Sequence, residues 1–432
     1  MPQKKSEKIM NRLEKLYPKL IDLKTDRIIR LLNLLGNPHH NLPPIIHIAG
    51  TNGKGSTAAF FRAGLTDKDK LVHSYTSPHL INFNERIRVA NTLISEPLLS
   101  SLLLECEKVN NGKSITLFEI ITCLAFLAFS RTKANWTILE VGLGGRFDAT
   151  NVINKPSLSV ITPISIDHQE FLGKTLEKIA FEKAGILRPN VVAIIGKQEK
   201  QALDVIKSKA KEIKTPLLVY NEDYTIVESL KAIIFEDEWG KVELSKPYLN
   251  GSHQINNASM ALAGLRQLKF QKSNLNYAMT NARWAGRLQK LDFGKFYEIV
   301  KINQSEIWVD GGHNQSAGSA LSETFNNKEN LPLYLIFGML NTKDPGTFLK
   351  YFVNKATKVY FVEIPEIDFS IKHDHLVKTA RTLGITYSYS NNIESSVIAI
   401  QKESKYQKIR ILICGSLYLA GYALKESGFT ID

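Results

Sequence analysis

The sequence predicts an α/β protein of two domains, each built on a largely parallel sheet, and three observations carry that reading. First, 432 residues exceed what one ordinary hydrophobic core organises. Second, 44% hydrophobic and 22% charged residues supply a folded core and exclude a disordered or fibrous chain. Third, short apolar runs alternate with polar loops and helical patterns. They occur first in "PPIIHIAG", "KLVHSYT", "NWTILEVG" and "LSVITPISI", and again in "EIWVDGGHN", "LPLYLIFGML", "KVYFVEI" and "IRILICGSLYLAG".

In chain order, the start "MPQKKSEKIMNRLEKLYPKL" is basic but carries acidic residues and no apolar centre, so no secretion signal is expected. Ile28, Leu31, Leu32 and Leu35 then share one helical face, with Gly36 as a stop. The first α/β rhythm follows. From about Pro216 to Leu249 the pattern turns strand-rich, and "AIIFEDEWGKVEL" reads as a hairpin around "EDEWG", a small antiparallel flap. The domain boundary is expected in "LQKLDFGKF", residues 288–296, dividing the chain into 1–291 and 292–432. No repeat and no low-complexity segment interrupts this pattern.

No segment reaches the roughly 18 apolar residues of a membrane span, so no membrane is expected. Cys106, Cys123 and Cys414 are odd in number and far apart, which argues against a disulfide framework and for a reducing cytoplasm. A formal charge of +13 calls for an anionic partner. The basic residues are dispersed, without a stripe interleaved with aromatics, so nucleic acid is not the expected one.

Chemistry is expected beyond the carboxyl ends of the parallel strands. After the first comes "GTNGKGS", Gly50, Thr51, Asn52, Gly53, Lys54, Gly55 and Ser56. It resembles a phosphate-binding loop in which Gly55 stands where the metal-binding hydroxyl usually is. Its glycines let amide groups face phosphates while Lys54 adds charge, though an ordinary turn is the bland alternative. Further strand ends carry Ser77, Glu140, and Asp167 with His168. Taken singly, Glu140 reads equally as a solvated carboxylate and His168 as a structural histidine. Lys183 shares a helical face with Leu176, Ile179 and Ala180. Its ammonium is thus either buried, and then paired, neutralised or modified, or snorkels out of the last helical turn.

Together "GTNGKGS", "TSPHLINFNERIRV", "LEVGLGGRFDATN", "SIDHQEFLG", "IAFEKAGI", "GSHQINNASMAL", "WAGRLQ", "DGGHN" and "GSLYLAG" resemble the folylpolyglutamate synthase and dihydrofolate synthase family of the Mur ligase superfamily. The motifs run in order along nearly the whole chain. The resemblance implies a P-loop ATPase domain of Mur-ligase type, then a smaller Rossmann-like domain with the 288–296 linker as hinge. It also implies an ATP-dependent ligase that activates a carboxylate as an acyl phosphate and joins it to L-glutamate.

On this resemblance Gly50 to Ser56 cradle the phosphates. Ser77, Glu140 and His168 hold Mg²⁺ at two sites, and Lys183 becomes a carbamate. Asn257 and Arg287 touch the nucleotide, Asp310 and His313 reach its ribose and phosphates, and Asp148 lies on the pterin side; Lys54, His168 and Lys183 are the catalytic expectations. The family usually has alanine at Gly312 and proline at Ala285, small departures that keep the polar groups. Dihydropteroate and reduced folates are both expected acceptors, and a monomer is expected. A folate-extending enzyme, a peptidoglycan-type Mur ligase, a basic NTPase acting on nucleic acid and a non-catalytic binding module remain as alternatives.

Overall fold

The computed structural model describes residues 4–17, 22–66, 70–326, 331–365 and 367–431. They form two compact units, 1–248 with 254–283 and 249–253 with 284–432. Each is built around its own sheet.

The first sheet has eight strands: β1 (Ile45–Ala49), β2 (Val72–Tyr75), β3 (Ile87–Val89), β4 (Thr92–Leu93), β5 (Trp136–Glu140), β6 (Leu158–Ile161), β7 (Ala193–Ile195) and β8 (Leu217–Val219). Their order is β4-β3-β2-β5-β1-β6-β7-β8, with only the β2–β3 and β3–β4 pairings antiparallel. All five residues of β1 are buried, because helices cover both faces of a central parallel strand and leave no polar side to the pleat. β5 and β2 lie on one side of β1 and β6 to β8 on the other, so the loops after β2, β5, β1 and β6 open at neighbouring strand ends. This arrangement makes a crevice where ligands bind in such sheets.

The expected hairpin is present. β9 (Thr225–Glu228), β10 (Ile233–Asp237) and β11 (Gly240–Leu244) form a separate antiparallel sheet, and the turn between β10 and β11 is Glu238-Trp239. Arg266 donates to both carboxylate oxygens of Asp237, tying the hairpin to the helix Ser252–Gln267.

The second unit carries β12 (Gln289–Leu291), β13 (Glu306–Val309), β14 (Leu333–Phe337), β15 (Ala356–Phe361), β16 (Tyr387–Tyr389) and β17 (Arg410–Cys414). Their order is β12-β13-β17-β14-β15-β16, parallel except for β12. The expected boundary at 291/292 therefore needs correcting. Residues 289–291 are an edge strand hydrogen-bonded to β13 within the second unit, and the chain passes between units at Arg283/Trp284. A three-residue strand with one buried side chain leaves too little periodicity to be read from sequence.

Two helices of the first unit fix the entrance of the crevice. The helix Lys54–Thr66 begins directly on the "GTNG" loop, and Phe61 on it is fully buried. A Cβ at Gly264 would lie 2.5 Å from the Phe61 ring, so the ring packs directly onto that glycine of the helix Ser252–Gln267. We predict that Phe61→Ala lowers the stability of the first unit by about 3–5 kcal/mol, the cost of a large buried cavity. Urea unfolding followed by circular dichroism measures it; a loss below about 1 kcal/mol would show that the site collapses around the missing ring.

Candidate functional site

The loop after β1 is braced from below by the loop after β6. Thr51 and Asn52 both donate their amide hydrogens to the Pro163 carbonyl, at 3.0 and 3.2 Å. The Thr51 hydroxyl accepts from the Ser165 amide and donates to the Ser165 carbonyl, both at 3.1 Å. Asn52 Nδ2 donates to the Ser165 hydroxyl. Gly50 is forced by this contact: its φ is +148°, and a Cβ there would lie 1.8 Å from Thr162 Oγ1. Gly53, at φ +86°, faces Asn257 Oδ1 at 2.2 Å from where a Cβ would stand. Asn257 is buried, fixed by its own bond to Gln254, and so seated against the loop.

From Gly53 the chain enters the helix at Lys54, with Gly55 and the buried Ser56 in its first turn. The first amides of a helix have no acceptor within it and carry its positive dipole end. Lys54 Nζ folds back to donate to the carbonyls of Gly50 and Thr51, at 3.2 and 3.3 Å.

Lys183 reaches the same carbonyl. Its Nζ donates to Gly50 O at 2.7 Å, and only 4% of the side chain is exposed, which removes the snorkelling alternative. Burial pushes its ammonium down from the ordinary 10.5 to about 7, and the Lys54 charge adds to the fall while Asp167 and Asp148 oppose it.

At the end of β5, Glu140 is buried and its Oε2 accepts from the Ser77 amide at 3.4 Å. An anionic oxygen and a hydroxyl-bearing residue are thus neighbours. His168 is placed differently: exposed, at φ +50°, at the start of the short helix Gln169–Leu172. Among the described residues no group of three or more His, Cys, Asp or Glu is arranged around a metal position. The expected set contains only two such residues and needs oxygens from elsewhere.

Asp148 is held within its own loop. Expected on the pterin side, it is buried, and both oxygens are used by its own loop. Oδ2 accepts from the amides of Gly142 and Leu143, and Oδ1 from the amide and hydroxyl of Thr150. Burial pushes its carboxyl up against the pull of those bonds. Since the Thr150 hydroxyl hydrogen goes to Asp148, His47 Nε2 donates to Thr150 Oγ1 at 2.8 Å, and burial drives the imidazole down to about 3, keeping it neutral. The aspartate folds the "GLGGRFDAT" loop.

The second unit gathers Arg287, Asp310 and His313. Asp310 is buried and accepts from the amides of Leu288 and Gly312, at 2.8 and 2.6 Å. A Cβ at Gly311 would lie 3.3 Å from Arg287 Nη1, so the guanidinium rests on that glycine. His313 follows, half-buried. His253, half-buried, lies within electrostatic reach of Asp310 and Arg287. Nothing in the linear sequence singles out Thr162 and Pro163, because a carbonyl brace depends on backbone position and not on residue type.

Known proteins are similar to this chain in sequence and in fold. Residues 48–265 match the Mur ligase middle domain family, and residues 289–426 match the dihydrofolate synthetase C-terminal domain family. The chain is 32% identical to the dihydrofolate synthetase of Saccharomyces cerevisiae, over 94% of this chain and 98% of that one. It is 31% identical to the dihydrofolate synthase/folylpolyglutamate synthase of Bacillus subtilis, over 91% and 92%. The fold is similar, at a TM-score of 0.86 and 26% identity, to E. coli FolC solved in complex with DHPP and ADP, covering 98% of this chain and 97% of that one.

The Lys183 geometry yields a pH prediction. With its folded pKa near 7 and its unfolded pKa at 10.5, the unfolded chain alone holds the proton between those values, so stability rises with pH across that window. Below about 7 both states are protonated and the burial cost is felt in full. In CO₂-free buffer, Lys183→Met is therefore expected to melt above the wild type at pH 6, with the gap closing as pH climbs toward 10. A gap independent of pH would contradict the depressed pKa.

Proposed function

Because the chain belongs to the dihydrofolate synthase/folylpolyglutamate synthase family, ATP-dependent ligases that form amide bonds, we propose that it joins L-glutamate to dihydropteroate and to reduced folates. The observation that carries the site assignment is the convergence of Lys54 and Lys183 on the Gly50 carbonyl, beside a helix N-terminus. The Lys54 charge and a helix dipole end on one glycine-rich loop call for an anion, and a nucleotide triphosphate supplies it. ATP is placed with its phosphates over Gly50 to Ser56, and with Asn257, Arg287, Asp310 and His313 as further nucleotide contacts.

In the proposed reaction the acceptor carboxylate attacks the terminal phosphorus of ATP, and ADP leaves. The amine of glutamate then attacks the acyl phosphate carbon, phosphate leaves, and the amine gives up a proton. Lys54 holds the terminal phosphate and compensates the charge on its equatorial oxygens as it transfers. The loop amides keep those oxygens in place.

The neighbouring oxygens of Glu140 and Ser77 suit a hard dication, and with His168 they are our candidates for two Mg²⁺ positions. Mg²⁺ would neutralise phosphate charge there. The buried Lys183 amine also fits modification. With a pKa near 7 a good part of it is neutral at physiological pH, and addition to CO₂ with loss of a proton would replace a cation beside Lys54 by an anion. The carbamate nitrogen would keep one hydrogen for the Gly50 carbonyl.

The three free cysteines are buried, and burial pushes the Cys106 thiol up to about 12, which accords with a reducing cytoplasm. No helix among the described residues is long and apolar enough to cross a membrane. We assign a monomer whose partners are small molecules and not nucleic acid.

A narrower reading has its own support. The second unit matches a dihydrofolate synthetase domain, which favours the first glutamate addition alone. ADP release with Mg²⁺-ATP and L-glutamate, comparing dihydropteroate with tetrahydrofolate and identifying products by mass, separates the readings. Turnover with both is expected. Turnover with dihydropteroate alone selects the narrower reading, with tetrahydrofolate alone a folate-extending enzyme, and with neither overturns the proposal. In the same assay Lys183→Ala is expected to lose nearly all activity and Lys183→Arg to do no better; an active arginine variant would rule out the carbamate.

A further inference from the structure

Gln198 belongs to none of the motifs above and contacts none of the expected ligand residues. It stands after β7, just before the helix Lys200–Ile213, two strand ends away from the phosphate loop. Its half-buried side chain nevertheless spans the loop after β6. Oε1 accepts from the Ile164 amide at 3.0 Å, and Nε2 donates to the Thr162 carbonyl at 3.1 Å. An amide side chain has one acceptor end and one donor end, and the pairing of an N–H at Ile164 with a C=O at Thr162 settles which way round it lies.

Between those two anchored residues sits Pro163. Proline has no amide hydrogen, so no ladder bond from its own nitrogen can hold this peptide in place. Its carbonyl is the acceptor for both Thr51 and Asn52. Thr162 Oγ1, buried and next to Gly50, has no hydrogen-bond partner of its own and adds no polar tether. The Pro163 carbonyl shares its peptide unit with the Ile164 amide, so its orientation depends on that amide and on the Thr162–Pro163 peptide before it, and Gln198 holds both.

We propose that Gln198 is the positioning residue of the phosphate loop: through the Thr162 and Ile164 peptides it aims the Pro163 carbonyl that fixes Thr51 and Asn52, and so sets nucleotide affinity from outside the site. This rests on the reading of Gly50 to Ser56 as the ATP loop, but the brace itself can be tested without turnover. Hydrogen–deuterium exchange of peptides covering residues 50–53, in the full chain without nucleotide, is expected to speed up about tenfold in Gln198→Leu, the scale of losing one or two hydrogen bonds, while the β1 peptides before them keep their protection. Unchanged exchange at 50–53 would overturn the brace whatever the enzyme's substrate.

Kinetics then separate positioning from general damage. In Gln198→Leu the KM for ATP is expected to rise at least about tenfold with the KM for glutamate little changed, and equal rises in both would point to a merely structural role. Gln198→Glu supplies a sharper signature. Its carboxylate can still accept from Ile164 but faces the Thr162 carbonyl with a lone pair, whereas the protonated acid donates to it as the native amide does. The KM for ATP of Gln198→Glu is thus expected to fall toward that of the wild type as pH drops from about 7 to about 5, relative to wild type at each pH. A parallel pH profile for the two enzymes would overturn the proposal. Should the protein lack ATP-dependent activity altogether, the functional reading fails while the exchange result still decides the brace.

Discussion

Two lysine side chains meet on one backbone carbonyl. Gly50 O takes a hydrogen bond from Lys183 at 2.7 Å and another from Lys54 at 3.2 Å, and the rest of the first unit is arranged to make that possible. Gly50 can occupy the position only because it lacks a Cβ, with Thr162 pressed against it. Lys183 arrives from a helix whose Ile179, Ala180 and Ala184 are packed into the core, so its ammonium has no route to water. Two like charges this close in a buried site cannot both be retained cheaply. The lysine nearer the core gives way, and its pKa falls toward neutrality.

That electrostatic tension connects fold and chemistry. A site in which Lys54 and burial lower the Lys183 pKa, with Asp167 and Asp148 opposing them only in part, favours ligands that bring negative charge to it. The loop glycines expose backbone to such a ligand, and the helix beginning at Lys54 adds its dipole. Two acidic groups near the site are engaged elsewhere. Asp148 spends both oxygens on its own loop, and Glu140 lies against the Ser77 amide at the next strand end.

Much of this was legible before any coordinates. Alternating apolar runs found β1, β2, β5 and β6 because buried parallel strands are uninterrupted in hydrophobicity, and their polar C-terminal residues fell at neighbouring strand ends as expected. The hairpin was visible because "EDEWG" breaks two alternating segments. β12, β16 and the β3–β4 pair were not, since two or three residues define no period. Lys183 could be read as a cation on an apolar face, but whether it was buried depended on what packs there. The loop role of Asp148 is hidden in the sequence for a physical reason: a carboxylate in a glycine-rich loop suits a ligand and an amide turn equally well, and only the structure shows the four bonds it accepts. The Pro163 brace was invisible because it is made by main-chain groups.

The central claim is that Lys183 is a reactive, near-neutral amine held against the phosphate loop. Carbon-13 NMR of the protein equilibrated with labelled bicarbonate at pH 8 tests it most directly. The account predicts a protein-bound carbamate carbonyl resonance that is present in the wild type and absent in Lys183→Arg. A spectrum without that resonance in the folded wild type, or with it undiminished in the variant, would contradict the account.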